Sequence, residues 1–473
     1  MSRSITFARN SAVQIIGRII STALGVVGVA LIARYLGTAG YGHYSTVIAF
    51  LQLIAIVADL GLYLTLLQEL GSTPEDEHGW RFGSGLTLRL ITGAVVFALA
   101  PIVALAFPYS AEIKAGIALT AVGYWFNQIA TLLGVIFQQR MKMAWAVAAD
   151  TVGRVAFIAA VWWAIHAQAG LMGILAANVL NSVVWVAILW VFARRLVPFK
   201  LHINWSHWKK ILIVAWPIGL GIGLNLVYFK ADTVVMSVVR PASEVGLYGA
   251  AYRVLEIVAT VPHMIMGIAL PLLAGLWAAK KVDDLHNVLQ KLFDLFWVMV
   301  WPILAGTIVI ATGIMTLVAG ADFTTAGPIL GVLILAAGAI FFGTFFSYLV
   351  VLTGQQKSML WIFGLVAVLG CGAYILLIPL YSYWAAAWTT VAVELLVTLG
   401  AAWVTRRKIL WRPQWRTCSL AFLASLLMAL IIKVSGVHNA LVATILGIVV
   451  YTSLLLGLKI VPVSLIRQLM KPS

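Results

Sequence analysis

The sequence predicts an all-α polytopic membrane protein with about fourteen transmembrane helices, and three observations carry that prediction. Of the 473 residues, 63% are hydrophobic and only 10% are charged, whereas a soluble domain runs to roughly half apolar and a quarter charged. Apolar runs long enough to cross a bilayer follow one another with little between them. The longest polar stretches, near 68–85 and 194–210, are too short to fold alone. Finally, the basic residues collect in alternate stretches, the pattern that fixes topology in a membrane.

Taken in order, the apolar runs place spans near 11–33, 43–67, 86–107, 115–136, 146–166, 170–193, 211–238, 246–275, 291–319, 327–352, 359–379, 382–405, 417–434 and 438–458. Each holds close to the roughly 20 apolar residues that one crossing needs. Pro217, Pro262, Pro271 and Pro302 lie inside spans, where neighbouring helices satisfy the freed backbone groups. Arg3 and Arg9 ahead of the first run imitate a signal peptide, but the run is too long and Arg18 interrupts it, so it reads as a retained first span.

An even number of spans puts both termini on one side. With that side cytoplasmic, about 22 basic residues face inside against 4 outside (Arg34, Lys114, Arg240 and Lys433), which sets the orientation. The net charge of +16 is then explained by topology and by anionic lipid headgroups rather than by nucleic acid. Cys371 and Cys418 fall in separate spans without metal-ligand spacing and read as packing residues. The eight histidines are scattered, and no HExxH, Walker A or GxSxG motif occurs, so no catalytic residue, metal site or cofactor is expected. The run Gly219-Leu220-Gly221-Ile222-Gly223 lies mid-span and reads as close helix packing.

An internal repeat is visible. Arg34 to Tyr44, with Gly42-His43-Tyr44, closes the first span and opens the second; Arg240 to Tyr248, with Gly246-Leu247-Tyr248, does the same for the seventh and eighth. Gln138-Gln139-Arg140 after the fourth span is echoed by Gln355-Gln356-Lys357 after the tenth. An offset of six spans preserves orientation, implying parallel six-helix copies with a cleft between them. The expected organisation is an N-terminal lobe over 1–200, a C-terminal lobe over 201–410 and two additional helices over 411–473.

Charge inside a span costs about 2.5–3.5 kcal/mol per residue at mid-bilayer, so it marks either function or a specific pair. The first half carries Arg18, Arg89 and Arg154 against Asp59 and Asp150; the second carries Lys230 and Arg253 against Asp232, Glu256 and Glu394. Asp150 with Arg154, and Arg253 with Glu256, can pair on their own helices. Arg18 has no acid at i±3 or i±4 and is expected to face a hydrated cavity; a cross-helix pair with Asp59 is the alternative. Polar stripes at helical spacing accompany these charges: Gln14, Arg18, Ser21 and Gly25; Thr120, Tyr124, Asn127 and Thr131; Asn178, Asn181 and Trp185; Glu256, Thr260 and His263. The cationic lean of the first half suits an anion such as pyrophosphate, which arginine grips bidentately. The acids of the second half suit a coupling proton or sodium ion.

Arg9-Asn10 before the first span, Ala33-Arg34-Tyr35-Leu36-Gly37 with Gly42-His43-Tyr44, and Asp59-Leu60-Gly61-Leu62 resemble the N-terminal signature of polysaccharide flippases, of the multidrug, oligosaccharidyl-lipid and polysaccharide exporter superfamily. Asn225, Asp232 and Gly246-Leu247-Tyr248 continue the resemblance through the second half. It implies two six-helix lobes, often with two extra helices, alternating access around a central cavity, and a polyprenyl-pyrophosphate-linked saccharide as cargo. A cationic residue in the first span is a feature of such cavities, and Arg18 matches it. The sequence therefore leads to a flippase, not an enzyme, in the cytoplasmic membrane, for an O-antigen or exopolysaccharide repeat unit. Its substrate-binding candidates are Arg18, Arg89, Arg154, Lys230 and Arg253, and its coupling-ion candidates Asp59, Asp232, Glu256 and Glu394. Expected partners are the lipid-linked oligosaccharide, membrane phospholipid, a coupling ion and a polysaccharide polymerase. The alternatives are a multidrug or cation antiporter of the same superfamily, a lipid II flippase, and a glycan polymerase or ligase; the last needs a large outer loop that this chain lacks.

Overall fold

The structure, a computed structural model, describes residues 3–437 and 439–458. Lys459, Arg467 and Lys471, counted above among the inside charges, lie outside the described residues. Every regular element among the described residues is helical: α1 Arg3–Asp59, α2 Leu62–Ser72, α3 His78–Leu105, α4 Ala111–Gln139, α5 Met143–His166, α6 Gly170–Leu196, α7 Trp205–Val239, α8 Ala242–Ala278, α9 Val282–Ala319, α10 Ala326–Leu352, α11 Gln356–Arg406, α12 Arg416–Val434 and α13 Ala440–Gly457, with two 3₁₀ turns.

Twelve helical stretches among the described residues are long and apolar enough to cross a membrane. Two of them, 57 and 51 residues long, far exceed the roughly 20 residues that one crossing needs. Each is a pair of rods joined at one non-helical residue, Gly37 (φ 63°, ψ −174°) in α1 and Ser382 (φ 52°, ψ −138°) in α11. Twelve stretches with two of them double make fourteen rods, the number that the apolar runs predict. The kink at Ile310 in α9 is different, because the 311–319 remainder is too short to cross.

The second rod differs from its expected form. The span near 43–67 is interrupted at Leu60 (φ 47°) and Gly61 (φ 75°), so α1 ends at Asp59 and α2 begins at Leu62. Gly61 is required there because an L side chain rarely adopts that backbone. A Cβ at Gly61 would also come 2.6 Å from the Ala215 carbonyl oxygen of α7.

The chain forms two compact units, Met1–Gly246 and Leu247–Ser473. In the first, α7 packs on α1, α2 and α3, and glycines allow it. A Cβ at Gly219 would stand 2.5 Å from the Leu60 carbonyl carbon, and one at Gly223 2.7 Å from Ile56 Cγ2. The close helix packing read from this glycine run is therefore present for both residues. This compact boundary at Gly246 is drawn from packing, whereas the expected lobe boundary near 200 comes from sequence echoes. Leu66, Phe82, Leu86, Leu133, Phe137, Leu189 and Trp208 form one buried cluster of this unit, and Val47, Phe50, Phe97, Ile117 and Leu175 form another.

Two glycines of the first unit make a reciprocal close contact. A Cβ on Gly42 would lie 1.8 Å from the Ala242 carbonyl oxygen, and one on Gly246 would lie 1.9 Å from the Thr38 carbonyl oxygen. Each glycine thus meets the carbonyl four residues before the other, the relation expected of two copies of one motif packed on each other. In the second unit, Met266, Leu289, Phe293, Phe296, Phe341 and Phe345 belong to one aromatic-rich buried core. The Tyr451 hydroxyl donates to the Val298 carbonyl at 2.8 Å, tying α13 to α9. Cys371 and Cys418 form no disulfide with each other.

Between α6 and α7, residues 197–204 form a non-helical strap along α3. Gly79 and Gly83 make room for it: a Cβ at Gly83 would be 2.2 Å from the Lys200 carbonyl oxygen, and one at Gly79 2.4 Å from that of Pro198. The His202 amide donates to the Thr87 hydroxyl at 3.1 Å, and the Trp208 indole donates to the Ser84 carbonyl at 2.9 Å. Gly83→Ala is expected to lift the strap and to cost about 1–3 kcal/mol, the usual range for overpacking, measurable as a lowered Tm in detergent.

Candidate functional site

The intramembrane charges separate into distinct environments. Arg89 of α3 is completely enclosed, with 0% of its surface exposed. Its guanidinium donates to the Ala58 carbonyl at 2.7 Å, to Asp59 Oδ1 at 2.5 Å and to Gln128 Oε1. Gln128 in turn donates to the Ala55 carbonyl at 3.1 Å. Ala58 lies in the last turn of α1, where carbonyls lose their helical partners at the Leu60-Gly61 break, and Ala55 lies one turn before it. Arg89 therefore caps a broken helix end and neutralises the carboxylate beside it. Its Nε is buried without a hydrogen-bond partner. None of Arg89's surface is exposed in this structure, and the acceptors it reaches are protein groups. The cross-helix pair of Asp59 is made with Arg89 and not with Arg18.

The first rod of α1 packs along α5 through small residues. Positions 17, 21, 25 and 28 meet positions 147, 150, 154 and 157: Gly17 against Val147, Ser21 donating to Asp150, Gly25 near the Arg154 guanidinium and Gly28 against Phe157. Small residues at this spacing let two membrane helices approach closely. Arg154 donates through Nε to Asp150 Oδ2 at 3.1 Å, the i,i+4 pair read from the sequence, and its side chain stays 33% exposed.

Arg18 sits on the turn between Gly17 and Ser21, is exposed, and makes no hydrogen bond or ion pair among the described residues. The rod runs on to Leu36, so at 1.5 Å per residue Arg18 lies roughly 28 Å along the axis from the break at Gly37. That separation is about the thickness of one hydrocarbon core, and partnerless guanidinium charge is least costly near the edge of such a core.

Lys230 and Asp232 are buried in α7. The Lys230 ammonium lies 5.7 Å from the Phe229 ring centre, and the Asp232 carboxylate accepts from the Thr233 amide at 2.5 Å and hydroxyl at 3.1 Å. In the second unit Arg253 donates to Glu256 at 2.6 Å, again the pair the spacing predicts. His263, two turns on from Glu256, meets the Thr344 hydroxyl at 3.5 Å. Glu394 in the second rod of α11 is buried, with 6% exposed. Of the candidates, the structure brings Asp59 together with Arg89, and Arg253 with Glu256. Arg18 and Arg154 share the α1–α5 seam, and Glu394 stands apart from the others in its unit.

Sequence reasoning missed a further network at the end of the first unit that carries the strap. The Glu69 carboxylate of α2 accepts from Arg81 at 2.5 Å and meets His207 Nε2 at 2.9 Å, while His207 Nδ1 meets the Ser84 hydroxyl at 3.0 Å. Arg81 also pairs with Glu77 at 2.6 Å. The cluster of Glu69, Glu75, Asp76 and Glu77 in a chain with only 15 acids was the available signal.

Fourteen apolar rods, each long enough for one crossing, define a multi-pass membrane protein. Solved structures with this fold include the lipid II flippase MurJ in an inward closed conformation, at 14% identity, a TM-score of 0.76, and coverage of 93% of this chain and 97% of that one. An inward-facing multidrug resistance transporter of the MATE family matches at 15% identity and a TM-score of 0.63, covering 84% of this chain and 98% of that one. A transporter of the same superfamily from Pyrococcus furiosus, described as having a binding pocket of reversed polarity, matches at 14% identity and a TM-score of 0.63 over 86% and 98%. The chain belongs to the polysaccharide biosynthesis protein family, whose profile matches residues 7–277. No curated protein matches it in sequence.

Proposed function

We propose that this protein is a flippase that carries a polyprenyl-pyrophosphate-linked oligosaccharide, an O-antigen or exopolysaccharide repeat unit, from the inner to the outer leaflet of the cytoplasmic membrane by alternating access. The observation that carries the reading is Arg18, an exposed guanidinium without a partner near one boundary of the first rod, beside the half-exposed Arg154–Asp150 pair. The pyrophosphate of a lipid-linked saccharide rides at headgroup depth, and an arginine there can grip it with two parallel hydrogen bonds. Family membership supports the saccharide, and the basic excess on one side supports cytoplasmic termini.

In this reading Arg18 and Arg154 hold the pyrophosphate, and Arg89 holds the broken end of α1. Lys230, beside the Phe229 ring, and Arg253, paired with Glu256, contribute positive potential. Among the acids, Glu394 and Glu256 are the candidates for a coupling proton or sodium ion. An exporter of organic cations would place unpaired carboxylate, not arginine, in the position of Arg18.

Arg18→Ala is expected to abolish complementation of a deletion strain while the protein still inserts at normal levels. That strain should accumulate lipid-linked saccharide at the inner leaflet and lose surface polysaccharide. Full complementation by correctly inserted R18A, or a drug-sensitivity phenotype with intact surface polysaccharide, would contradict the proposal.

A further inference from the structure

The Glu69–Arg81–His207 network floors a pocket of about 440 Å³, whose lining also includes Gln68, Trp80, Asn204, Ser206 and Lys210. A second pocket, of about 570 Å³, is lined by Trp80, Arg194, Phe199, Lys200 and His202. Trp80 is a wall of both. Its indole is 39% exposed, although Arg81 lies 4.8 Å from its centre and the His207 ring 5.0 Å away. The two pockets therefore adjoin across one aromatic plate, and they differ in chemistry.

The second pocket is basic. Arg194 and Lys200 are exposed and form no ion pair among the described residues. Arg194 stands 5.7 Å from the Trp190 ring and 5.8 Å from Phe199, which fixes its head without neutralising it. Lys200 is held on the strap that Gly79 and Gly83 seat against α3. The first pocket is mixed. Arg81 and His207 share Glu69 Oε1, while Glu69 Oε2 is buried without a hydrogen-bond partner among the described residues; the exposed Gln68, Ser206 and Lys210 are the free hydrogen-bonding groups around the indole. An aromatic face ringed by amide, hydroxyl and ammonium groups suits a sugar ring, and an unpaired arginine and lysine beside it suit phosphate.

We infer that these adjoining pockets are a loading site for a saccharide joined to pyrophosphate: Arg194 and Lys200 take the phosphates, and Trp80 with Gln68, Ser206 and Lys210 takes the first sugar. The inference rests on the transport reading and adds to it a receiving site at the membrane surface, separate from Arg18. With the termini cytoplasmic, the site opens on the side where such a substrate is assembled.

The test uses full-length protein in phosphatidylcholine nanodiscs and titration calorimetry with two probes, a ten-carbon prenyl-pyrophosphoryl-N-acetylglucosamine and inorganic pyrophosphate. Arg194→Gln with Lys200→Gln is expected to weaken both probes about tenfold, as loss of charge-assisted hydrogen bonds does. Trp80→Ala is expected to weaken only the sugar-bearing probe. Lys200→Glu, an exposed change on the strap, tests the phosphate half without touching the indole. Wild-type affinity in these variants would overturn the site. So would competition by phosphatidylglycerol with no sugar-specific loss in W80A, because the pocket would then hold a phospholipid headgroup.

Translocation of the full-length lipid-linked saccharide by the same proteins in proteoliposomes separates the two claims. Probe binding that depends on Trp80 and Arg194, without translocation by the wild-type protein, would sink the transport reading and leave the site. Translocation that is unaffected by all three variants would sink the site and leave the transport reading.

Discussion

Arg89→Leu is expected to be among the most damaging single substitutions in this chain. It removes the donor to the Ala58 carbonyl, leaves Asp59 without its cation and frees Gln128 from its partner. Deleting one member of a buried pair costs about 3–5 kcal/mol, here offset in part because Asp59 keeps 24% of its side chain exposed. The prediction is a large loss of folded protein, read by size-exclusion chromatography and thermal unfolding in detergent. Asp59→Asn tests the charge alone: Arg89 keeps its other acceptors but stays fully buried as an uncompensated cation, so a comparable loss is expected. Removing both charges in D59L/R89L should recover much of the loss, as replacement of whole buried pairs does. Equal damage from the single and double variants would show that the capped carbonyl, not the charge pair, dominates.

The second large effect is expected at the reciprocal glycines. Gly246→Leu places a side chain where the Thr38 carbonyl oxygen already stands 1.9 Å from the Cβ position, and Gly42→Leu does the same against Ala242 at 1.8 Å. A backbone oxygen cannot step aside as a side chain can, so the helices must separate and lose their packing. A cost of about 3 kcal/mol, at the upper end for overpacking, is expected for either variant. Because each substitution opens the same contact, the double variant should cost little more than one alone, a failure of additivity that a double-mutant cycle reads directly. Fully additive losses would contradict the reciprocal contact.

The fold was largely legible because its signals are local. Apolar run length sets the fourteen rods, and i,i+3 and i,i+4 spacing gave the Arg253–Glu256 and Asp150–Arg154 pairs. The packing role of Gly219 and Gly223 was readable from their crowding in one run. What escaped was tertiary. Arg89 and Asp59 are 30 positions apart, and Glu69 and His207 are 138 apart, so no periodicity links them. The break at Leu60-Gly61 was hidden inside an unbroken apolar run, where Gly61 looked like one more small residue among many. Trp80 escaped because a lone tryptophan beside charged residues reads as an interfacial anchor until two pockets are seen to share it.

Transport itself is tested most directly by reconstitution. Purified protein in proteoliposomes that carry a polyprenyl-pyrophosphate-linked saccharide should make the inner-leaflet pool accessible to an external saccharide-modifying enzyme within minutes. Arg18→Ala should lower that rate to the protein-free background, while Arg18→Lys keeps part of it. Unchanged accessibility with the wild-type protein, or full rates with R18A, would contradict the account.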